Sequence, residues 1–240
     1  YNGSFLMTGG TLAAAGAKVA LLDVNIDAAK AHAAKIGGIA IKCDVSDSDS
    51  AVAAVKEARE KHGVARVLIN CAGIGTPKKI LGRDGPQPLA DFDRIIRVNL
   101  IGSFNVLRLF AADLQNAEAL ADGERGVCIS TASVAAYEGQ IGQAAYAASK
   151  GGIVGLTLPA ARELAQFGIR VLAIAPGIFL TPMLLGLSEE VQQSLAASVP
   201  FPKLLGKPEQ YASLAMEMVR NTYLNGEVVR IDGSLRMAPK

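Results

Sequence analysis

The sequence predicts a single-domain, doubly wound α/β fold over residues 1–240, with a parallel sheet of about seven strands. Three observations carry that prediction. Short apolar runs alternate with longer helical patterns along the whole chain. Most of these runs are nearly continuous in Val, Ile, Leu and Ala, as strands buried on both faces of a parallel sheet must be. The chain has 240 residues, 50% hydrophobic and 19% charged, which is ordinary for one domain with a sizeable core.

Taken in order, Ser4–Thr8 reads as the first strand and Lys18–Asp23 as the second. Between them Gly9–Ala17 must carry the chain back across the sheet, and a parallel crossover takes about a dozen residues or more. A six-residue helix is only ~9 Å long, whereas a five-residue strand runs ~16 Å. The sequence therefore predicts residues missing between about Gly10 and Thr11, a break in the chain there, and no bound dinucleotide. A real short turn with rearranged strands is the alternative. Next come a helix over Asp27–Ile36 stopped at Gly37, a strand over Ile39–Cys43, and a helix over Ser50–His62 stopped at Gly63. A strand over Val67–Asn70 precedes a long helix over Asp91–Leu114. The remainder reads as strand Val127–Thr131, helix Gln143–Phe167, strand Arg170–Ala175, helix Glu209–Val219 and strand Glu227–Ile231. Two polar inserts, Lys78–Asp91 and Asn116–Arg125, read as surface loops.

Composition excludes several classes of function. A net charge of +2, evenly spread, is too weak for a nucleic-acid surface. No apolar run reaches the roughly 18 residues that span a bilayer, and no signal peptide is visible. Cys43, Cys71 and Cys128 are far apart and odd in number, which predicts a reducing compartment and no disulfide framework. His32 and His62 lie in Ala/Lys/Glu-rich helical stretches, so neither a histidine triad nor a metal site is expected. The Ala-rich composition looks bacterial and cytoplasmic, with a mitochondrial matrix origin left open.

Several motifs fall in order on this frame. Thr8-Gly9-Gly10 follows the first strand, Asp23 ends the second, and Asp44-Val45 ends the third. "NCAG", Asn70–Gly73, ends the fourth. "VNLIGSFN" puts Asn99 inside the long helix. "STASVAAYEG" supplies Ser133, thirteen residues before Tyr146, and "YAASK" pairs Tyr146 with Lys150. "PGIFLTP", Pro176–Pro182, follows the sixth strand. Together they resemble the short-chain dehydrogenase/reductase family over essentially the whole length. The stretch from "GERGVCIS" to "AAREL" and the tail "YLNGEVVRIDGSLRMAPK" resemble the type II 3-hydroxyacyl-CoA dehydrogenases within it. The family's first loop reads T-G-x-x-x-G-x-G, of which only the first glycines remain here. Cys71 replaces the second Asn of the commoner N-N-A-G. Arg66 stands where many relatives carry Asp.

The resemblance implies a Rossmann-like fold, a nicotinamide cofactor and a catalytic set of Asn99, Ser133, Tyr146 and Lys150. Tyrosine is a poor base at its reference pKa of ~10. A helix places Tyr146 and Lys150 on one face, and an ammonium at ~4 Å is worth about 4 kcal/mol at an effective dielectric near 20, or roughly three pKa units. Tyr146 is then expected to act as base in oxidation and acid in reduction. By resemblance, Lys150 also holds the ribose hydroxyls, Ser133 binds the substrate oxygen, and Asn99 holds a water behind Lys150. Plainer readings stand beside these: Ser133 as a helix cap with Ser130 as a decoy, and Asn99 as a residue that kinks its helix.

The dinucleotide is expected across the carboxyl ends of the strands. Gly9, Cys71, Ala72 and Gly73 would line it, the last two because backbone without side chains permits close approach. Asp44 and Val45 resemble the family's adenine contact, and Pro176, Phe179 and Thr181 its nicotinamide contacts. Asp23, at the end of a strand, can accept both ribose hydroxyl protons, which predicts NAD over NADP; the competing reading is a cap for the next helix. Residues Leu180–Val199 form a substrate lid by analogy, and Gln140 and Gln143 face the acyl or CoA arm. The leading reaction is interconversion of a 3-hydroxyacyl-CoA and its 3-oxoacyl-CoA. The alternative is an NAD-dependent steroid or other secondary-alcohol dehydrogenase. A carrier-protein reductase would want NADPH, and a non-catalytic dinucleotide sensor has no need of the catalytic set. The resemblance also implies a homotetramer, with the last helix and the tail at a two-fold interface.

Overall fold

Parallel pairing of strands, with helices between them, organises the molecule. A computed structural model describes residues 3–186 and 188–239. In chain order the elements are α1 (Gly3–Ala14), β1 (Ala20–Asp23), α2 (Ile26–Ile36), β2 (Ile39–Lys42), α3 (Ser48–His62) and β3 (Val67–Asn70). A short hairpin, β4 (Leu81–Gly82) and β5 (Gly85–Pro86), lies in the first polar insert. Then follow α4 (Leu89–Ile96), a π-helical turn over Arg97–Ile101, α5 (Gly102–Leu114), β6 (Gly126–Thr131), α6 (Ala144–Leu164) and β7 (Ile169–Pro176). The chain closes with α7 (Pro182–Leu185), α8 (Glu189–Ala197), α9 (Pro208–Arg220) and β8 (Val228–Ile231). The expected lid thus holds two short helices.

The doubly wound order is present, in two hydrogen-bonded parts. β3, β6, β7 and β8 form a parallel sheet in that spatial order, and β1 pairs in parallel with β2 alone. Register is set by Ala20 opposite Ile39, Val67 opposite Val127, Cys128 opposite Val171, and Ala173 opposite Val228. The core lies on both faces of β6 and β7, the first buried along its whole length and the second up to Pro176. Ile129, Leu172 and Ile174 pack with Tyr211 and Met218 on one face. Cys128, Ile169 and Val171 pack with Phe110 and Leu114 on the other. β1 and β3, each an edge of its own sheet, are only half-buried at most positions, Leu22 and Ile69 among them.

The expected first strand is not a strand. Ser4–Thr8 lies within α1, which runs without interruption through Gly10 and Thr11, so the expected break there is corrected as well. The physical reason is the one that made the strand reading uneasy: nine residues cannot return a parallel strand, but they can complete a helix and a turn. Gly16, at φ 91°, stops the helix, and Ala17 N–H donates to the Leu12 carbonyl at 3.0 Å. The helix packs against α9 and α2. Its Leu12 and Ala13 join Val19, Leu21, Ala33 and Ile36 in a small apolar cluster.

Local signals explain most other boundaries. Asn25 caps α2 by accepting from Ala28 N–H at 3.1 Å, and Gly37 ends it at φ 67°. Asp47 caps α3 by accepting from Ser50 N–H at 2.7 Å. The helical run Leu89–Leu114 has the length and hydropathy to cross a bilayer. Here it is a core element, with Ile95, Asn99, Val106, Phe110 and Leu114 buried. The Asn116–Arg125 insert lies at the surface, as expected, and is tied down by arginines. Arg66 donates to the Glu118 and Arg125 carbonyls, Arg125 to the Ala117 carbonyl, and Arg170 pairs with Glu124 at 2.9 Å.

Candidate active site

The carboxyl ends of β3, β6 and β7 gather the catalytic candidates. β6 ends at Thr131 and the chain passes in an extended conformation through Ser133 (φ −170°, ψ 156°) into a single 3-10 turn over Val134–Ala136. Ser133 Oγ accepts from Ala135 N–H at 3.1 Å, so the capping role is realised. The same hydroxyl also acts on Tyr146, pulling that hydroxyl down against the effect of burial. Ser130, the decoy, is buried inside β6 and accepts from Asn70 Nδ2 at 3.3 Å.

Tyr146 and Lys150 lie one turn apart on α6. Lys150 is buried, and its Nζ donates to the Thr131 carbonyl at 2.6 Å. That nitrogen stands 5.8 Å from the centroid of the Tyr146 ring. Burial pushes the Lys150 ammonium down to about 8. Burial also pushes the Tyr146 hydroxyl above the ordinary tyrosine range, with the Ser133 hydrogen bond pulling the other way. The expected lysine-driven lowering of Tyr146 is therefore corrected. Both groups are desolvated, each in the direction that suppresses its own charge, and the ammonium is committed to a carbonyl.

Asn99 sits in the π turn between α4 and α5 and is fully buried. Such single π turns recur at functional positions. Its Oδ1 accepts from Ile74 N–H at 2.8 Å, and its Nδ2 donates to the Ile74 carbonyl at 2.9 Å and to Ser149 Oγ at 3.0 Å. Asn99 thus clamps the strand that leaves β3 against α6. Gly73 lies beside this clamp: a Cβ there would make ordinary contacts, 3.4 Å from Asn99 Oδ1 and 3.5 Å from Lys150 Nζ. A Cβ on Gly75 would meet the Tyr146 ring at 3.1 Å.

The candidate cofactor residues divide. Asp23 ends β1, where its Oδ1 accepts from Asn25 N–H at 2.8 Å; Asn25, not Asp23, caps α2. Asp44 accepts from Ser46 N–H at 2.9 Å just before the true cap, Asp47. Val45 packs on Gly102, where a Cβ would lie 2.5 Å from Val45 Cγ2. Ala72 and Gly73 are exposed beyond β3, while Cys71 is buried with Thr131 and Tyr211. Pro176 ends β7 and Thr181 caps α7 through Leu184 N–H at 3.4 Å. Phe179 is part of the apolar core, its ring against Gly206, with a cavity of ≈ 500 Å³ beside it. Gln143 Oε1 accepts from Gln140 N–H at 2.9 Å, and Gln140 Nε2 donates to the Ala238 carbonyl at 3.0 Å.

Gly9 is displaced altogether. It lies within α1, where a Cβ would meet Leu21, Ile36 and Val19 at 3.3–3.7 Å, so its expected place in a turn after a first strand is corrected. Tyr146, Lys150 and the exposed Ala72 and Gly73 lie together at the strand ends, where the nicotinamide side of a dinucleotide was expected. The pyrophosphate, which needs free amides at a helix start, has no such cradle in Thr8–Gly10. Sequence reasoning also missed Asn105, whose Nδ2 donates to the Val45 and Asp47 carbonyls at 2.9 and 3.3 Å. Its signal was present in "SFN", one turn and a half after Asn99.

With this geometry in place, the profile of the short chain dehydrogenase family matches residues 6–192. The chain belongs to the short-chain dehydrogenase family. As a short-chain dehydrogenase it is 49% identical to the 3-hydroxyacyl-CoA dehydrogenase type-2 of Bos taurus, over 99% of this chain and 93% of that protein. The protein of that name from Drosophila melanogaster is 44% identical over 99% of both chains. The crystal structure of 3-hydroxyacyl-CoA dehydrogenase type-2 from Mycobacterium avium superposes with a TM-score of 0.95 at 42% identity, over 100% of this chain and 94% of that one. The Drosophila alignment spans 252 positions against the 240 residues of this short-chain dehydrogenase, so at least 12 positions of that relative have no counterpart here.

Proposed function

We propose that this oxidoreductase interconverts a 3-hydroxyacyl-CoA and its 3-oxoacyl-CoA, with NAD as the co-substrate. The observation that carries the proposal is the joined set of Ser133, Tyr146, Lys150 and Asn99 at the strand ends, together with relatives of that name at 42–49% identity.

The residues of this chain account for the proton. In reduction, Tyr146 Oη donates to the 3-oxo oxygen while Ser133 Oγ hydrogen-bonds the same oxygen. A tyrosine raised by burial is held protonated for this at neutral pH. In oxidation the phenolate takes the 3-hydroxyl proton, and its scarcity at neutral pH favours alkaline conditions. Lys150 and Asn99 brace the site through Thr131 and Ile74. Asp23 supports NAD over NADP, because a 2′-phosphate would set further negative charge against its carboxylate. Asp23→Ala is expected to shift the ratio of NAD to NADP efficiencies towards NADP, and an unchanged ratio defeats that part. Exposed Ile101 and Phe104 beside α4 and Leu158 on α6 support a homotetramer. Three unpaired, buried cysteines support a reducing compartment.

The test is a panel of 3-hydroxyacyl-CoA chain lengths, with secondary alcohols and hydroxysteroids beside it, at saturating NAD. Turnover highest on an acyl-CoA is expected. Turnover confined to the alcohols or steroids overturns the substrate assignment.

A further inference from the structure

The site holds both ends of a dinucleotide but not its middle. At one end Asp23 and Asp44 stand at or just beyond the carboxyl ends of β1 and β2. At the other are Tyr146 and Lys150, with Ala72 and Gly73 exposed between. A pyrophosphate across such strand ends is normally met by backbone N–H groups of a glycine-rich turn at a helix start.

Here the glycine pair expected in that role, Gly9-Gly10, is inside a helix. α1 begins at Gly3, so the amides of Thr8, Gly9 and Gly10 point back along it to the carbonyls of residues 4–6, following the i to i−4 pattern. Thr8 and Gly9 are buried, and Gly9 lies against Val19, Leu21 and Ile36. These groups are turned into the cluster under β1, not towards the strand ends.

Two further observations point the same way. Among the described residues β1 pairs with β2 and β3 with β6, so each leaves one edge without a partner strand. The shortfall of at least 12 positions against the Drosophila relative is the length of a turn and two helical turns.

We infer that this chain grips a nicotinamide dinucleotide by its two nucleoside ends alone, and binds it more than tenfold more weakly than the same chain with a glycine loop restored. The inference rests on the reading of the protein as a nicotinamide-dependent dehydrogenase. The loss of two or more charge-assisted hydrogen bonds to the phosphates is enough for a change of that size.

The first test uses the chain as it stands, titrated calorimetrically with adenosine and with ADP. ADP is expected to bind no more than a few-fold tighter than adenosine, because the added phosphates find no donors. An ADP affinity tenfold or more above that of adenosine overturns the inference. The second test inserts twelve residues between Gly10 and Thr11 that complete the pattern Gly-x-x-x-Gly-x-Gly and continue into a helix, and follows NADH binding by its fluorescence. A gain of more than tenfold is expected, with adenosine affinity unchanged. A folded insertion variant that binds NADH no tighter than the parent overturns the inference. The acyl-CoA panel on the insertion variant separates the two proposals: restored NADH binding without acyl-CoA turnover defeats the substrate reading and leaves this inference standing.

Discussion

Replacing Lys150 with methionine is expected to change the pH dependence of stability in a calculable way. The side chain is 4% exposed, and burial depresses its ammonium from 10.5 to about 8. Between those values the unfolded chain binds more protons at this position than the folded one. Stability contributed by the lysine therefore rises as pH climbs through 8 towards 10.5, and the burial penalty is fully present below 8. A shift of this size corresponds to about 3 kcal/mol. Of that, about 2 kcal/mol should be regained between about pH 7 and about pH 9.5. Methionine has no proton to lose, and its missing hydrogen bond to the Thr131 carbonyl is a fixed offset. The variant-minus-parent stability should therefore fall by about 2 kcal/mol across that interval. The raised thiols of Cys43 and Cys128 titrate in the same direction in both proteins and cancel in the difference. Urea denaturation followed by circular dichroism at both pH values measures it. A difference that stays constant, or grows in alkali, refutes the reasoning.

Three further outcomes are expected. Tyr146→Phe should lower turnover by about 10²–10⁴-fold with the melting temperature preserved; a variant keeping more than about a tenth of the parent rate would show that another group moves the proton. In the parent, the oxidation rate should climb with pH in the alkaline range, since burial raises Tyr146, and a flat profile from neutral upward contradicts this. Gly126→Ala should destabilise by about 1–3 kcal/mol, because its Cβ would lie 2.5 Å from the Arg66 carbonyl oxygen and 2.8 Å from Leu114 Cδ1; an unchanged melting temperature would mean β6 can shift.

The candidate catalytic set was legible as a cluster because its signals are side-chain identities at fixed spacings, and the structure brings Ser133, Tyr146 and Lys150 together. The distance from Lys150 to Tyr146 was not legible. Spacing of four puts two residues on one helix face, but only the fold shows that the Thr131 carbonyl takes the ammonium. The π turn at Asn99 was not read from the sequence, because the apolar residues on either side of it do not show where one extra residue is accommodated. The run Ser4–Thr8 is five residues long, too short for periodicity to separate strand from helix. The crossover length held the deciding information, and it was read as a break where the structure has a helix. The second insert was legible as a surface loop but its ties were not, because they come from arginines distant in sequence: Arg66, just before β3, and Arg170, in β7.

The division of strands has a consequence for how the molecule melts. β1 and β2 bond to each other and to no other strand. The segment 20–62 meets the larger sheet's side largely through α3 against α5, two hydrogen bonds from Asn105, one from Arg108 to Ser48 at 3.1 Å, and the Arg59–Asp113 pair at 2.8 Å. Side-chain latches of this kind open more easily than a continuous ladder of backbone bonds. The segment should behave as its own cooperative opening unit, its amides exchanging with solvent together and ahead of those in β6 and β7. Asp23 and Asp44, proposed for the adenosine end, then ride on a part of the molecule that can come loose while the segment holding Ser133, Tyr146 and Lys150 stays folded.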